Sequence, residues 1–246
     1  MIRFFLLLIF TLTVTSCAVQ VSFTKSASRV KKSILKLEAW VYSETCNKET
    51  QTCGEWQQYA TGSGAVVLYD RQKVVLTAAH VCDISSGFSA MEKVLLRDKK
   101  IIMKAYDRLD RLYYLYILKS DKSKDVCLMK FNDTSKVSLP PLKLSAKKPE
   151  YAEKVFAIGA PTGLLEGAMA PIFEGMSFGE LAERHFYGIP TIGGLSGSPI
   201  LNFKGELIGM IHSVHYRFHH ISLSVSYKDL WNFLNIAQSR TLLSPN

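Results

Sequence analysis

Residues 73–80 read Lys-Val-Val-Leu-Thr-Ala-Ala-His. Val74, Val75 and Leu76 form a short continuous apolar run, as in a strand buried on both faces, and the run ends on small residues and a single imidazole. Outward from it, the text keeps breaking into pieces of the same length. Leu35, Leu37, Ala39 and Val41 alternate with Lys36, Glu38 and Trp40, the period of a half-buried strand. Further short strands are expected at 64–69, 93–97, 100–105, 112–119, 126–131, 153–159 and 205–213. Turn-forming clusters separate them, such as Tyr69-Asp70-Arg71-Gln72 and Asn132-Asp133-Thr134. Many short strands at this spacing predict an all-β sandwich or barrel. One helix is expected over 226–240. Ser226 followed by Asp229 opens it as a capping box, and Leu230, Phe233, Leu234 and Ala237 follow at helical periodicity. Residues 180–186 fit a helical turn or a strand equally, and no internal repeat interrupts the pattern.

A chain of 246 residues is long enough for one sizeable domain or two small ones. Its formal charge of +9 favours anionic surfaces. The lysines are dispersed rather than blocked, which argues against a nucleic-acid domain.

The amino terminus reads as an address. Met1-Ile2-Arg3 is a short positive start, and the apolar run from Phe4 to Val14 suits a secretory signal while falling short of the roughly 20 residues of a membrane span. Two cleavage readings stay open. Val14-Thr15-Ser16-Cys17 resembles a bacterial lipobox, which would lipidate Cys17 and tether the protein to the membrane. Ser16-Cys17-Ala18 resembles an ordinary signal-peptidase site. Either way residues 1–16 are a signal peptide, the mature chain is exported, to the cell envelope or beyond it, and the Ser- and Lys-rich residues 17–32 are expected as a flexible lead-in. Export permits disulfides. With Cys17 consumed, Cys46, Cys53, Cys82 and Cys127 remain, an even number. Cys46 and Cys53 bracket a polar loop that a local bridge would staple. Cys82 would then pair with Cys127 if their segments are neighbours. The four match no zinc spacing.

Three segments carry chemistry. They are Thr77-Ala78-Ala79-His80, Asp125-Val126-Cys127-Leu128-Met129-Lys130 and Gly193-Gly194-Leu195-Ser196-Gly197-Ser198-Pro199. Singly, each reads as a strand end, a turn or a loop. Together they supply what acyl transfer requires: a hydroxyl (Ser196), a base to take its proton (His80), and an acid to hold that base in one tautomer (Asp125). The glycines around Ser196 permit a tight turn in which the amides of Gly194 and Ser196 face one cavity and receive a developing oxyanion.

With these motifs the chain resembles the trypsin-like (chymotrypsin-fold) serine peptidases. Thr77–His80 looks like their TAAH motif and Gly194–Pro199 like their GxSGxP motif. Asp125–Lys130 is similar to the DxAxxK strand of the bacterial branch, with Cys127 in place of alanine. Chain order is His, Asp, Ser, as in that family. Thr61-Gly62-Ser63-Gly64 resembles its GSG strand entry, and Gly205–Gly209 its strand after the nucleophile. The resemblance implies two six-stranded antiparallel barrels, about 33–135 and 136–225, followed by the helix, in one peptidase domain over 33–246. It further implies a protein or peptide substrate, no cofactor and no metal. It also places Cys82 and Cys127, each two residues past a triad member, close enough to bridge, although both could instead be free and buried. With the chain ending soon after its helix, no extra peptide-binding domain is expected, and the protein is expected to be a monomer. A protease fold kept only as an envelope-bound binding module is the competing reading.

The departures concern specificity and activation. Leu195 stands where digestive members carry the aspartate that pairs with a freed amino terminus, so that activation route is not implied. Pro190 stands where cleavage after Lys or Arg needs an acid. The glutamyl endopeptidases, with a similar GxSGSP, read an acidic side chain with a threonine and a histidine. Thr191 matches the first as a substrate-pocket residue. His212 falls one residue late for the second, which turns its side chain to the other face unless a bulge, as at Met210, restores it. His212, His215, His219 and His220 read as a half-exposed strand pair rather than a metal site.

Overall fold

The computed structural model describes residues 23–43, 54–84, 100–167 and 169–235. Twelve strands among them close into two antiparallel barrels. The first comprises β1 (Ile34–Ser43), β2 (Glu55–Tyr69), β3 (Gln72–Thr77), β4 (Ile101–Tyr106), β5 (Leu112–Asp121) and β6 (Val126–Phe131), in the order β1-β2-β3-β6-β5-β4. The second comprises β7 (Lys154–Ile158), β8 (Ile172–Leu181), β9 (Arg184–Tyr187), β10 (Pro199–Asn202), β11 (Leu207–His215) and β12 (Phe218–Val225), in the order β10-β11-β12-β9-β8-β7. The apolar run of β3 lies between β2 and β6, and Val74, Val75 and Leu76 are fully buried. In β1 the residues Leu35, Leu37, Ala39 and Val41 all face the core, as their alternation predicts.

The expected strand at 93–97, the Cys46–Cys53 bridge and Cys17 lie outside the described residues. The undecided stretch 180–186 is a hairpin. Ala182 and Glu183 both take positive φ, 49° and 61°, the mirror-image turn whose twist matches flanking strands, and it carries neither of the residues that normally announce it. Strands β8 and β10 have no counterpart among the expected segments, while β11 and β12 form the strand pair expected around His212, His215, His219 and His220. The capping box at Ser226 forms: its hydroxyl donates to Asp229 Oδ2 (2.7 Å) and accepts from the Asp229 N–H (3.1 Å). Helix α3 (Tyr227–Asn235) follows it as far as the described residues go.

The lead-in departs from expectation. Residues 23–30 form helix α1, and Lys31–Ser33 a 3-10 turn, where a flexible segment was expected. Phe23, Ala27 and Val30 fall at i, i+4 and i+7, an apolar stripe within a polar composition. Phe23 packs on Phe156 and Phe203 with ring centroids 5.2 and 4.7 Å apart, and the Arg29 guanidinium donates to Lys204 O (2.6 Å). Thus α1 leans on the second barrel before the chain enters the first. In return α3, leaving the second barrel, reaches the first: Lys119 Nζ donates to Phe233 O (3.0 Å), and Lys124 Nζ pairs with Asp229 Oδ1. These two crossings hold the barrels against each other and shape the crevice between them.

Within the second barrel, His185 is buried, stacks on Tyr187 at 4.4 Å and shares a 2.8 Å hydrogen bond with Ser177 Oγ through Nε2. Burial, helped by the charge of Lys148, pushes its imidazole from 6.5 down to about 4. Its folded value therefore lies below its unfolded one, and the unfolded chain binds the extra proton between them. The contribution of His185 is intact above pH 6.5 and is lost as pH falls toward 4. At about 1.4 kcal/mol per pH unit across that window, the loss reaches about 3 kcal/mol. A series of urea midpoints at stepped pH should show this slope, and His185→Gln should flatten it. An unchanged slope in that variant would assign acid sensitivity elsewhere.

Candidate active site

The end of β3 delivers His80. Ala78 is extended (φ −74°, ψ 148°), and the single-turn helix α2 (Ala79–Cys82) begins immediately after it. The His80 N–H, free of an intrahelical partner in this first turn, donates to Asp125 Oδ1 (2.9 Å), and His80 Nδ1 lies 2.8 Å from Asp125 Oδ2. Backbone and ring thus grip both oxygens of one carboxylate. With the Nδ1 proton given to Asp125, Nε2 keeps its lone pair for the crevice. Asp125 takes φ 53°, a left-handed conformation that aspartate tolerates better than most side chains. The turn before it is wound around Asp121, whose Oδ1 accepts from the Ser123 N–H, the Ser123 hydroxyl and the Lys124 N–H. A Cys82–Cys127 disulfide joins α2 to β6, two residues beyond each partner of the pair, so these two cysteines are bonded rather than free. Burial works to raise the Asp125 carboxyl. The two hydrogen bonds from His80, with the His80 and His212 charges, outweigh it and hold the group below the usual carboxylate range.

Ser196 sits in the loop between β9 and β10, and that loop is fastened to the first barrel. The Ser63 N–H donates to Ser196 O (2.8 Å), and the Ser63 hydroxyl donates to Gly194 O (2.7 Å). Ser63 O in turn accepts from Thr77 Oγ1 (2.7 Å), at the foot of the segment that ends in His80. At Gly62 an added Cβ would stand 2.5 Å from Val81 and 3.3 Å from Ser196 O, so His80's neighbour and the Ser196 loop close on one glycine. Within the loop, Thr162 N–H binds Gly193 O (2.8 Å) and Ser198 N–H binds Leu195 O (2.9 Å). In a trans peptide N–H and C=O point opposite ways. Tethering those two carbonyls therefore turns the N–H groups of Gly194 and Ser196 to the other side, where neither has an acceptor among the described residues.

A family model for the trypsin-like peptidase domain matches residues 62–210, from the glycine before Ser63 into β11. The chain belongs to the trypsin-like peptidase family. Among solved structures, it is similar to the serine endoprotease from Yersinia pestis, at 17% identity and a TM-score of 0.61, with 85% of this chain and 64% of that one covered. This chain therefore spans less than two thirds of that protein, and the likeness is one of fold. No curated protein matches the chain.

Two further family-derived expectations concern Thr191 and His212. Thr191 is buried in the loop that carries Ser196, with its N–H on His219 O (2.9 Å) and its hydroxyl donating to Ile189 O (3.4 Å). Against β12 the register of β11 shifts between Ile211 and Ser213 and again between Val214 and His215, not at Met210, and His212 Nδ1 stands 3.7 Å from Asp125 Oδ2. The His212 ring thus stands beside the Asp125 carboxylate, and no hydrogen bond joins His212 to Thr191 among the described residues. Burial pushes the His212 imidazole down from its ordinary value, against the pull of Asp125. No cluster of three or more metal-ligating side chains occurs among the described residues. A groove of about 990 Å³ opens beside His80, Asp125 and His212, rimmed by Lys122, Arg184 and Tyr216. Sequence reasoning missed Ser63 as a site residue. Its signal was a lone hydroxyl between two glycines inside a strand, where nothing local needs one.

Proposed function

We propose that the chain is an exported serine endopeptidase in which Ser196 is the nucleophile, His80 the general base and then acid, and Asp125 the group that orients His80. Ser196 Oγ adds to the scissile carbonyl as its proton passes to His80 Nε2, and the resulting oxyanion sits on the N–H groups of Gly194 and Ser196. His80 then gives the proton to the leaving amine, leaving an acyl-enzyme. Water, activated by the same imidazole, releases the acid and restores Ser196. The observation that carries this reading is the double contact of His80 with Asp125, made beside a nucleophile loop pinned to the same barrel. On this reading Thr191 lines the pocket for the residue before the scissile bond, His212 acts on Asp125, and Cys17 is the candidate tether at the membrane.

A fluorophosphonate probe tests the reading directly, because it modifies only an activated serine. The folded mature protein should be labelled, with the adduct mapping to Ser196. Absence of labelling in folded protein would favour a binding module that has kept the fold without the chemistry.

A further inference from the structure

We infer that Ser63 is a positioning residue for the oxyanion pocket, its hydroxyl holding the Gly194 donor in its working direction from the opposite barrel while its backbone N–H holds the Ser196 side. The inference rests on the peptidase reading above and extends it to a side chain that touches neither substrate nor His80.

Ser63 is fully buried. Its hydroxyl uses its proton on Gly194 O (2.7 Å) and accepts from the Ala160 N–H (2.8 Å), so one oxygen joins two segments of the second barrel. Its own N–H takes Ser196 O (2.8 Å). The consequence is local. Gly194 has a peptide plane on each side: the one before it is held through Gly193 O by the Thr162 N–H, the one after it through Gly194 O by Ser63 Oγ. Ser196 is held likewise, through Leu195 O by the Ser198 N–H and through Ser196 O by the Ser63 N–H. Ser63 thus supplies one of the two holds on each donor.

Why hydrogen bonds should be needed follows from the residue that is held. Gly194 sits at φ +90°, and a Cβ there would lie 2.5 Å from Ala160 O and from Thr162 N, so only glycine fits. Glycine, however, has no side-chain barrier against turning a peptide over. The direction of its N–H must come from what its flanking carbonyls are bonded to. Gly197 and Gly159 complete the fit: an added Cβ would stand 2.0 Å from Ser63 O at the first and 2.8 Å from Ser63 Oγ at the second. The backbone crowds around Ser63 from both sides.

The test begins with wild-type protein, measured for peptide hydrolysis and titrated with the fluorophosphonate. If wild type neither hydrolyses nor labels, the peptidase reading fails whatever Ser63 does. Given an active wild type, Ser63→Ala should lower kcat by about 10- to 100-fold with KM little changed, the scale on which small misplacement of a catalytic group acts. The affinity for phenylboronic acid, whose adduct is a tetrahedral boronate with one oxygen in the pocket, should fall by the same factor as kcat/KM. The acid limb of the pH–rate profile should stay in place, because the His80–Asp125 pair is untouched. Should the alanine variant fail to fold, Ser63→Cys, close in volume and a weak donor, gives the same comparison. Wild-type kcat in either folded variant, or a loss of kcat without loss of boronate affinity, overturns the assignment.

Discussion

Replacing Ser196 with alanine should lower kcat by about four orders of magnitude while leaving the fold intact. A loss of that size is about 5.5 kcal/mol of transition-state stabilisation, more than any packing change at a half-buried loop residue would produce. The fold should survive because Ser196 contributes to the loop through its backbone. Its carbonyl receives the Ser63 N–H, and its neighbours are held through Gly194 O, Leu195 O and the Gly197 N–H on Ile211 O. None of these bonds involves Oγ. The same reasoning fixes what combination does. His80→Ala on top of Ser196→Ala should remove almost nothing further, since a base with no hydroxyl to deprotonate has no role. Asp125→Asn in the wild-type background should fall nearly as far as Ser196→Ala, because an amide nitrogen at 2.8 Å from Nδ1 would favour the wrong tautomer. Initial rates with thermal melts on each variant check the pattern. Hydrolysis that survives Ser196→Ala would take this serine out of the chemistry, and additive losses would break the claim that the three act as one unit.

What was legible beforehand divides by physical cause. The segments of the proposed triad stand out because acyl-transfer chemistry demands particular side chains, and the strands beside His80 and Asp125 carry continuous apolar runs such as Val74–Leu76. The capping box at Ser226 was legible because it is written within four residues. The misses are long-range. Residues 23–32, within the expected flexible lead-in, read as polar because only three apolar positions matter there, and the rings that Phe23 meets, Phe156 and Phe203, lie over a hundred residues away. The hairpin at Ala182-Glu183 uses a left-handed turn without Gly, Asn or Asp, so the local signal is missing although the geometry is the usual one. His212 shows the limit of counting positions: the register of β11 shifts beside it, between Ile211 and Ser213, and its ring stands 3.7 Å from Asp125 Oδ2, a partner that residue spacing does not name. Ser63 reads in the sequence only as part of a strand entry. Its partners Gly194 and Ala160 belong to the other barrel, and no pattern in residues 61–64 could name them.

The second large effect concerns stability. Removing both cysteines of the Cys82–Cys127 bridge should reduce unfolding free energy by about 4 kcal/mol, the chain-entropy value for a loop of this length. The bond spans 45 residues, a stretch that includes the whole of β4 and β5. The unfolded chain therefore gains considerable freedom when the bond is absent, while the folded barrel loses only two sulfurs from an already buried site. The expected effect on catalysis is smaller, for a structural reason. Residue 127 is also held by its ladder partner Thr77 in β3, and His80 grips Asp125 through both its backbone N–H and its ring. Those contacts outlast the disulfide, so kcat of Cys82→Ala/Cys127→Ala, measured where the variant is fully folded, should fall less than about tenfold. Urea titration gives the stability and initial rates give the activity. A stability loss under about 1 kcal/mol would show that the bridge does little to restrain the unfolded chain. A collapse of kcat with folding preserved would instead make the disulfide, rather than the His80–Asp125 hydrogen bonds, the element that keeps base and acid together.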